Sequence, residues 1–295
     1  MWKTKEIAIP KGFNFKLTAK SHGWYDLAPF RFDDEAGVLF YVFTDERNGK
    51  AIEAKISCKG KRLLIDLDTS LPDANPIPDL VRHILRFDDS IGEFHTMAAN
   101  DENLNWAATR GAGRLLRSPT VFEDMVKTLC TTNCSWSLTR KMVENLVAAL
   151  GASSSSGSRS FPAAETLAAK DEKFYREVVR AGYRSSYFVE MTEKVAAGTI
   201  DPEKWLDPEI PLEELRKEIK SIKGFGEYAV DNLMKLIGRY DGLALDSWLR
   251  AQFYGKHNRG RKCSDKTIEK KYKRYGKWKG LAIWCDMTSD WHDPS

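Results

Sequence analysis

Leu215 to Arg250 reads LRKEIKSIKGFGEYAVDNLMKLIGRYDGLALDSWLR. Its pattern divides into a helix, a tight turn at Ile222-Lys223-Gly224-Phe225-Gly226, a second helix, and a short apolar run ending at Asp246. Gly224 and Gly226 lack a Cβ, so the chain can turn sharply there and approach a ligand closely. The helix that follows starts with unpaired N–H groups and a partial positive charge. Such a turn is a phosphate cradle, and Asp246 lies near whatever the turn holds. An ordinary αα-hairpin with a surface aspartate shares this local pattern, so the remaining segments have to decide between the two.

A chain of 295 residues is long enough for one large domain or two to three small ones. With 42% hydrophobic and 30% charged residues it is globular. No apolar run is long enough for a membrane span. The N-terminal stretch MWKTKEIAIPKGF lacks the apolar stretch of a signal peptide. An intracellular location, in the cytoplasm and nucleoid or in a nucleus, is therefore expected. The net charge of +4 decides nothing, but its distribution does. Residues Gly255 to Gly280 hold 11 Lys/Arg against Asp265 and Glu269, interleaved with Tyr272, Tyr275 and Trp278. This suits a phosphate backbone, and equally a solvated amphipathic helix. The five cysteines are odd in number and mostly scattered, so no disulfide framework is expected. Cys130 and Cys134 share a helix face without neighbouring ligands, which argues against zinc.

Residues 1 to about 95 read as β-rich. Val38–Phe43 is a strong strand, Glu46-Arg47-Asn48-Gly49-Lys50 supplies an Asn-Gly turn, and Ala51–Cys58 and Arg62–Leu67 follow as strands. Short connections predict an antiparallel meander. Pro72, Pro76 and Pro78 interrupt it, and Ile77–Phe87 starts a helix. From about residue 90 the pattern is helical. Pro119–Thr131 repeats near 3.6 residues, with Ser118 as N-cap and Pro119 at the first helical position. A helix from Ser135 to Leu150 ends at Gly151. Ser153–Ser160 reads as a loop, and further helices are predicted near 163–168, 172–181, 186–197 and 212–221. The fold class is α+β: a small antiparallel sheet domain over 1–95 packed on a two-lobed, mainly helical core over 96–295, with the hairpin at about 212–238.

The GFG turn, the apolar helix and the aspartate about twenty residues on resemble the helix-hairpin-helix DNA glycosylase superfamily. Leu115–Gly151 resembles its 8-oxoguanine branch through Cys130-Thr131-Thr132-Asn133-Cys134 between two helices. Gly182-Tyr183-Arg184 matches a third motif. Phe15–Thr18 with His22–Phe30 looks like the opening of the sheet domain in the 3-methyladenine and 8-oxoguanine enzymes. The resemblance implies base flipping in damaged double-stranded DNA, by a monomer. It implies that Lys223, Gly224 and Gly226 hold a phosphate, and that Asn133 enters the gap left by the flipped base. Tyr183 would wedge the base stack and Arg184 would face DNA.

Asp246 is then the catalytic residue. A carboxylate beside C1′ stabilises the oxocarbenium-like sugar as the base departs. Bifunctional members carry an imine-forming lysine two residues after the last turn glycine; here that position is Tyr228, and a phenol forms no imine. A monofunctional hydrolase with water as nucleophile, acting on an oxidised or alkylated base, is expected; the alternatives are a bifunctional glycosylase/lyase using another amine and a non-catalytic binder of damaged or bent DNA. Some relatives of the resembled family carry a four-cysteine iron–sulfur cluster near the C-terminus; only Cys263 and Cys285 occur there, so no cluster, metal or other cofactor is expected. The base pocket departs too. Aligned on Trp278–Met287, the base-reading glutamine and phenylalanine of the 8-oxoguanine branch become Ile283 and Met287. Tyr228, Trp24, Phe30, Trp136 and Trp284 complete an aromatic pocket suited to an electron-poor alkylated base.

Overall fold

The computed structural model describes residues 2–45, 47–68 and 76–292; the expected interruption at Pro72 and the turn residue Glu46 lie outside them. Five strands form one antiparallel sheet: β1 (Trp2–Ala8), β2 (Arg31–Asp33), β3 (Val38–Asp45), β4 (Lys50–Lys59) and β5 (Arg62–Asp68), in spatial order β1-β5-β4-β3-β2. The alternation in β4 and β5 turns Ile52, Ala54, Ile56, Leu63, Ile65 and Leu67 onto the buried face. β1 pairs with β5 from Trp2↔Asp68 to Ala8↔Arg62 and was not anticipated. As an edge strand it is mostly exposed and carries lysines rather than a clean apolar alternation.

The helices are α1 (Phe15–Ala19), α2 (Ile77–Ile84), α3 (Gly92–Ala99), α4 (Asn105–Arg110), α5 (Val121–Thr131), α6 (Trp136–Leu150), α7 (Ala164–Ala168) and α8 (Glu172–Phe174). They continue with α9 (Ser185–Ala196), α10 (Leu212–Ser221), α11 (Glu227–Leu236), α12 (Ser247–His257), α13 (Asp265–Tyr272) and α14 (Lys279–Thr288). Two apolar cores result. One joins the sheet to residues from α5, α6, α9, α10 and α11; the other joins residues 91–115 to 240–287. No helix among the described residues is long and apolar enough to cross a membrane.

α5 runs through the first core and is buried from Val121 to Cys130. Its charges are paired inside: Lys127 meets Glu123 at 2.6 Å, Tyr41 donates to Glu123 at 2.6 Å, and Trp24 Nε1 donates to Asp124 at 2.7 Å. Pairing of this kind is what lets charge persist in a core. The N-cap of α5 is Thr120, whose side chain accepts from the Glu123 amide, not the expected Ser118. Ser118 instead gives its amide to Asp124 at 3.0 Å. The C-terminal end of α5 delivers the Thr131–Cys134 turn to the surface.

Candidate active site

The hairpin comes first. α10 and α11 flank the 222–226 turn and are tied by ion pairs from Arg216 to Asp231 at 2.5 Å, from Arg216 to Glu227 at 3.1 Å, and from Lys220 to Glu227. Gly224 has φ +96, and a Cβ there would meet Leu129 at 2.7 Å and Tyr187 at 2.8 Å. Glycine is therefore required on both conformational and steric grounds. Gly226 is exposed and caps α11. The amides of Gly224 and Gly226 have no hydrogen-bond partner among the described residues. Lys223 is exposed, with its ammonium 5.3 Å from the Tyr187 ring centre.

Across a shallow groove of about 430 Å³ from this turn stand Asn133 and Tyr183. Asn133 has φ +47 and donates through Nδ2 to the Tyr183 hydroxyl at 3.3 Å. Tyr183 is 53% exposed, too open for a core tyrosine. Arg184 departs from the expected DNA-facing position. It is buried, donating to Thr132 Oγ1 at 3.0 Å, to the Thr132 carbonyl, and to the Ala181 carbonyl. Its guanidinium also lies 4.6 Å from the Tyr183 ring centre. Arg184 satisfies the Thr132 carbonyl of the 131–134 turn and backs the tyrosine from within.

Behind that turn lies a cavity of about 770 Å³. Thr131 and Cys134 line the cavity, while Thr132 and Asn133 line the groove, so one turn separates the two. Asp246 is on the cavity wall, half-buried, as the N-cap of α12; its Oδ1 accepts from the Leu249 amide at 2.6 Å. Its Oδ2 accepts no hydrogen bond from the described residues. The helix end thus holds one oxygen and leaves the other available. The preceding chain is held by Asp231, which accepts from the Ala244 amide at 3.1 Å while bound to Arg216. Ala244 has φ +50, and any Cβ on Gly242 would collide with the Asp231 carboxylate.

Three α11 residues at i, i+4 and i+7 face the cavity: Tyr228, Asn232 and Lys235. Burial, reinforced by the Asp246 charge, pushes the Tyr228 phenol up to about 12, so it stays protonated. Lys235 was not anticipated. Its side chain is 4% exposed, and burial lowers its ammonium to about 8, against the opposing pull of Asp231 and Asp246. His22 is buried on the same wall, and burial drives it down to about 3. It is neutral, with Nε2 2.5 Å from the Leu116 carbonyl, which fixes that nitrogen as the donor.

The expected aromatic pocket is realised in part. Trp136 lines the cavity, 40% exposed, with Nε1 donating to Asp26 at 3.0 Å. Gly23 lies flat against its ring, too close for any side chain. Trp24 contributes an edge while its nitrogen is bound to Asp124. Phe30 lies instead in the first core, its ring 4.5 Å from Tyr41 and 4.7 Å from the Lys127 ammonium. Ile283 and Met287 lie in the second core. They share one face of α14, and that face packs inward; Trp284, one position on, faces the cavity. Trp284 clusters with Trp248 and Trp291 at ring distances of 5.1 to 5.9 Å. In the basic segment Tyr272, Tyr275 and Trp278 are core residues. Arg259, Arg261, Lys262, Lys266 and Lys270 are exposed and have no ion-pair partner among the described residues.

No protein-family model and no curated protein matches the chain. Solved structures do. A 3-methyladenine DNA glycosylase from Archaeoglobus fulgidus superposes with TM-score 0.77 at 18% identity, over 98% of each chain. The chain has the helix-hairpin-helix DNA glycosylase fold. MBOgg1, solved with a low-affinity DNA ligand, matches with TM-score 0.76 and 20% identity over 99% of this chain and all of the other. An 8-oxoguanine glycosylase/lyase from Clostridium acetobutylicum matches with TM-score 0.74 and 17% identity over 97% and 98%. In this glycosylase fold, hairpin, groove and cavity lie side by side.

Proposed function

We propose that this protein is a monofunctional DNA N-glycosylase, acting as a monomer on double-stranded DNA that contains a damaged base. The observation that carries the reading is Asp246, held by one oxygen at a helix N-terminus beside a cavity large enough for an extruded base. The hairpin amides and Lys223 hold the strand, and Asn133 and Tyr183 fill the vacated stack. As the C1′–N bond breaks, its electron pair leaves with the base. The Asp246 carboxylate stabilises the cationic sugar and orients a water for attack on C1′. The water's proton ends on solvent or on the released base, and an abasic sugar remains. Side chains and water carry every step. Tyr228 stands where the resembled bifunctional enzymes have their lysine, and its protonated phenol offers no amine.

A second reading has one observation in its favour. Lys235 places an amine in the cavity with reduced proton affinity, as a Schiff-base lyase requires. A panel of lesion-containing duplexes, cleaved with and without alkali, separates the two. Hydrolysis yields breakage only after alkali and no adduct with borohydride. Breakage without alkali together with a trapped adduct selects the lyase. Base release that persists undiminished in Asp246→Asn refutes the mechanism.

A further inference from the structure

Two residues that line the cavity carry a hydrogen-bond donor without a protein partner among the described residues. The Lys235 ammonium forms no hydrogen bond or ion pair with any described residue, and it lies 4.9 Å from the centre of the Trp284 ring. The buried Asn232 amide nitrogen has no partner either. The two residues sit three apart on α11, on the face that lines the cavity. Burying unpaired donors, one of them charged, is costly. The neighbouring acids Asp231 and Asp246 favour the charged amine from a distance but form no ion pair with it: Asp231 is bound to Arg216 and the Ala244 amide, and Asp246 caps α12 through Oδ1. The other titratable groups facing this space are Lys20, His22, Tyr25, Cys134, Tyr228 and His292, and Cys285 lies near Lys235 behind the wall. Lys20 is paired with Asp34, His22 is neutral, and burial keeps Cys285 a thiol.

Resting on the reading of this cavity as the base pocket, we infer that Lys235 and Asn232 determine specificity. The base they admit is neutral and presents a carbonyl oxygen to them, and ring-alkylated purines bearing a positive charge are rejected. The aromatic wall points the same way. Indole faces attract cations, but the Trp284 face already has the protein's own cation beside it. A cationic base approaching the Trp284 face meets like charge. This reverses the preference that the aromatic residues alone imply.

The test is single-turnover base release by the full chain. The duplexes contain hypoxanthine, 8-oxoguanine or 7-methylguanine, and each rate is divided by its enzyme-free rate, because cationic bases leave more readily in water. Wild type is expected to favour a carbonyl-bearing neutral base by at least about tenfold. Lys235→Met lowers release of that base by about 10- to 100-fold and raises release of 7-methylguanine. Lys235→Gln keeps a donor and loses less on the neutral base. The ammonium is present below about 8, so wild-type release of the neutral base declines as pH rises through that value. That decline is absent in both Lys235 variants. Asn232→Leu lowers neutral-base release and retains the decline. Preference for 7-methylguanine, an unchanged preference in Lys235→Met, or a borohydride adduct lost in Lys235→Met each overturns the inference while leaving a glycosylase. Release of no base from any duplex removes the glycosylase reading and this inference together.

Discussion

The hairpin turn offers a ligand main-chain amides on an exposed ridge, whereas the cavity offers side chains drawn from the N-terminal segment, α5, α6, α11, α12 and α14. The turn depends on backbone conformation and needs little of its side chains beyond the absence of one at Gly224. The cavity depends on side-chain identity and on distant elements holding their places. Substitutions should therefore act differently in the two regions: on chemistry in the cavity, on affinity or stability at the turn.

The largest effect should come from Asp246→Asn. Asparagine caps a helix as well as aspartate does, so the melting temperature should hardly move. Loss of the charge should lower the single-turnover rate by about a hundred- to a thousandfold. A large stability loss instead would mean that Asp246 serves the fold and would blur the contrast. At the turn, Gly224→Ala forces an alanine to φ +96 against Leu129 and Tyr187. It should cost about 1–3 kcal/mol of stability by denaturant titration. DNA affinity should fall with it, while the rate at saturating enzyme stays near wild type. Tyr183→Ala removes an exposed ring, so stability should be unaffected while affinity for lesion DNA drops about tenfold or more. Lys223→Ala should do least, weakening binding evenly across sequences and lowering the salt dependence by about one ion.

This division also governs what could be read in the sequence. The turn was legible because its cause is local: glycine spacing, a following amphipathic helix, and an aspartate at fixed distance. β3, β4 and β5 were legible because one face is buried and alternates. β1 was not, since both its faces are largely exposed. Lys235 was missed because a lysine late in an amphipathic helix reads as a solvated one. The signal was its spacing of seven from Tyr228, which returns it to the same face. Ile283 and Met287 were assigned to a face of α14 that packs into the core, whereas Trp284 lines the cavity: on a helix a single residue turns the side chain by about 100°. Arg184 looked like a DNA contact because nothing local announces that the Thr132 carbonyl, 52 residues earlier, needs a donor.

Asp231 has a consequence for where the protein can act along a strand. One carboxylate ties Arg216 in the hairpin to the Ala244 amide, two residues before Asp246. On the proposed function, the clasp on the phosphate and the acid at the sugar would thereby be set at a fixed spacing, like two marks on a ruler. The nucleotide presented for base release would then be counted off from the gripped phosphate. Slippage of the strand by one step would carry the sugar out of range, whatever base it bore.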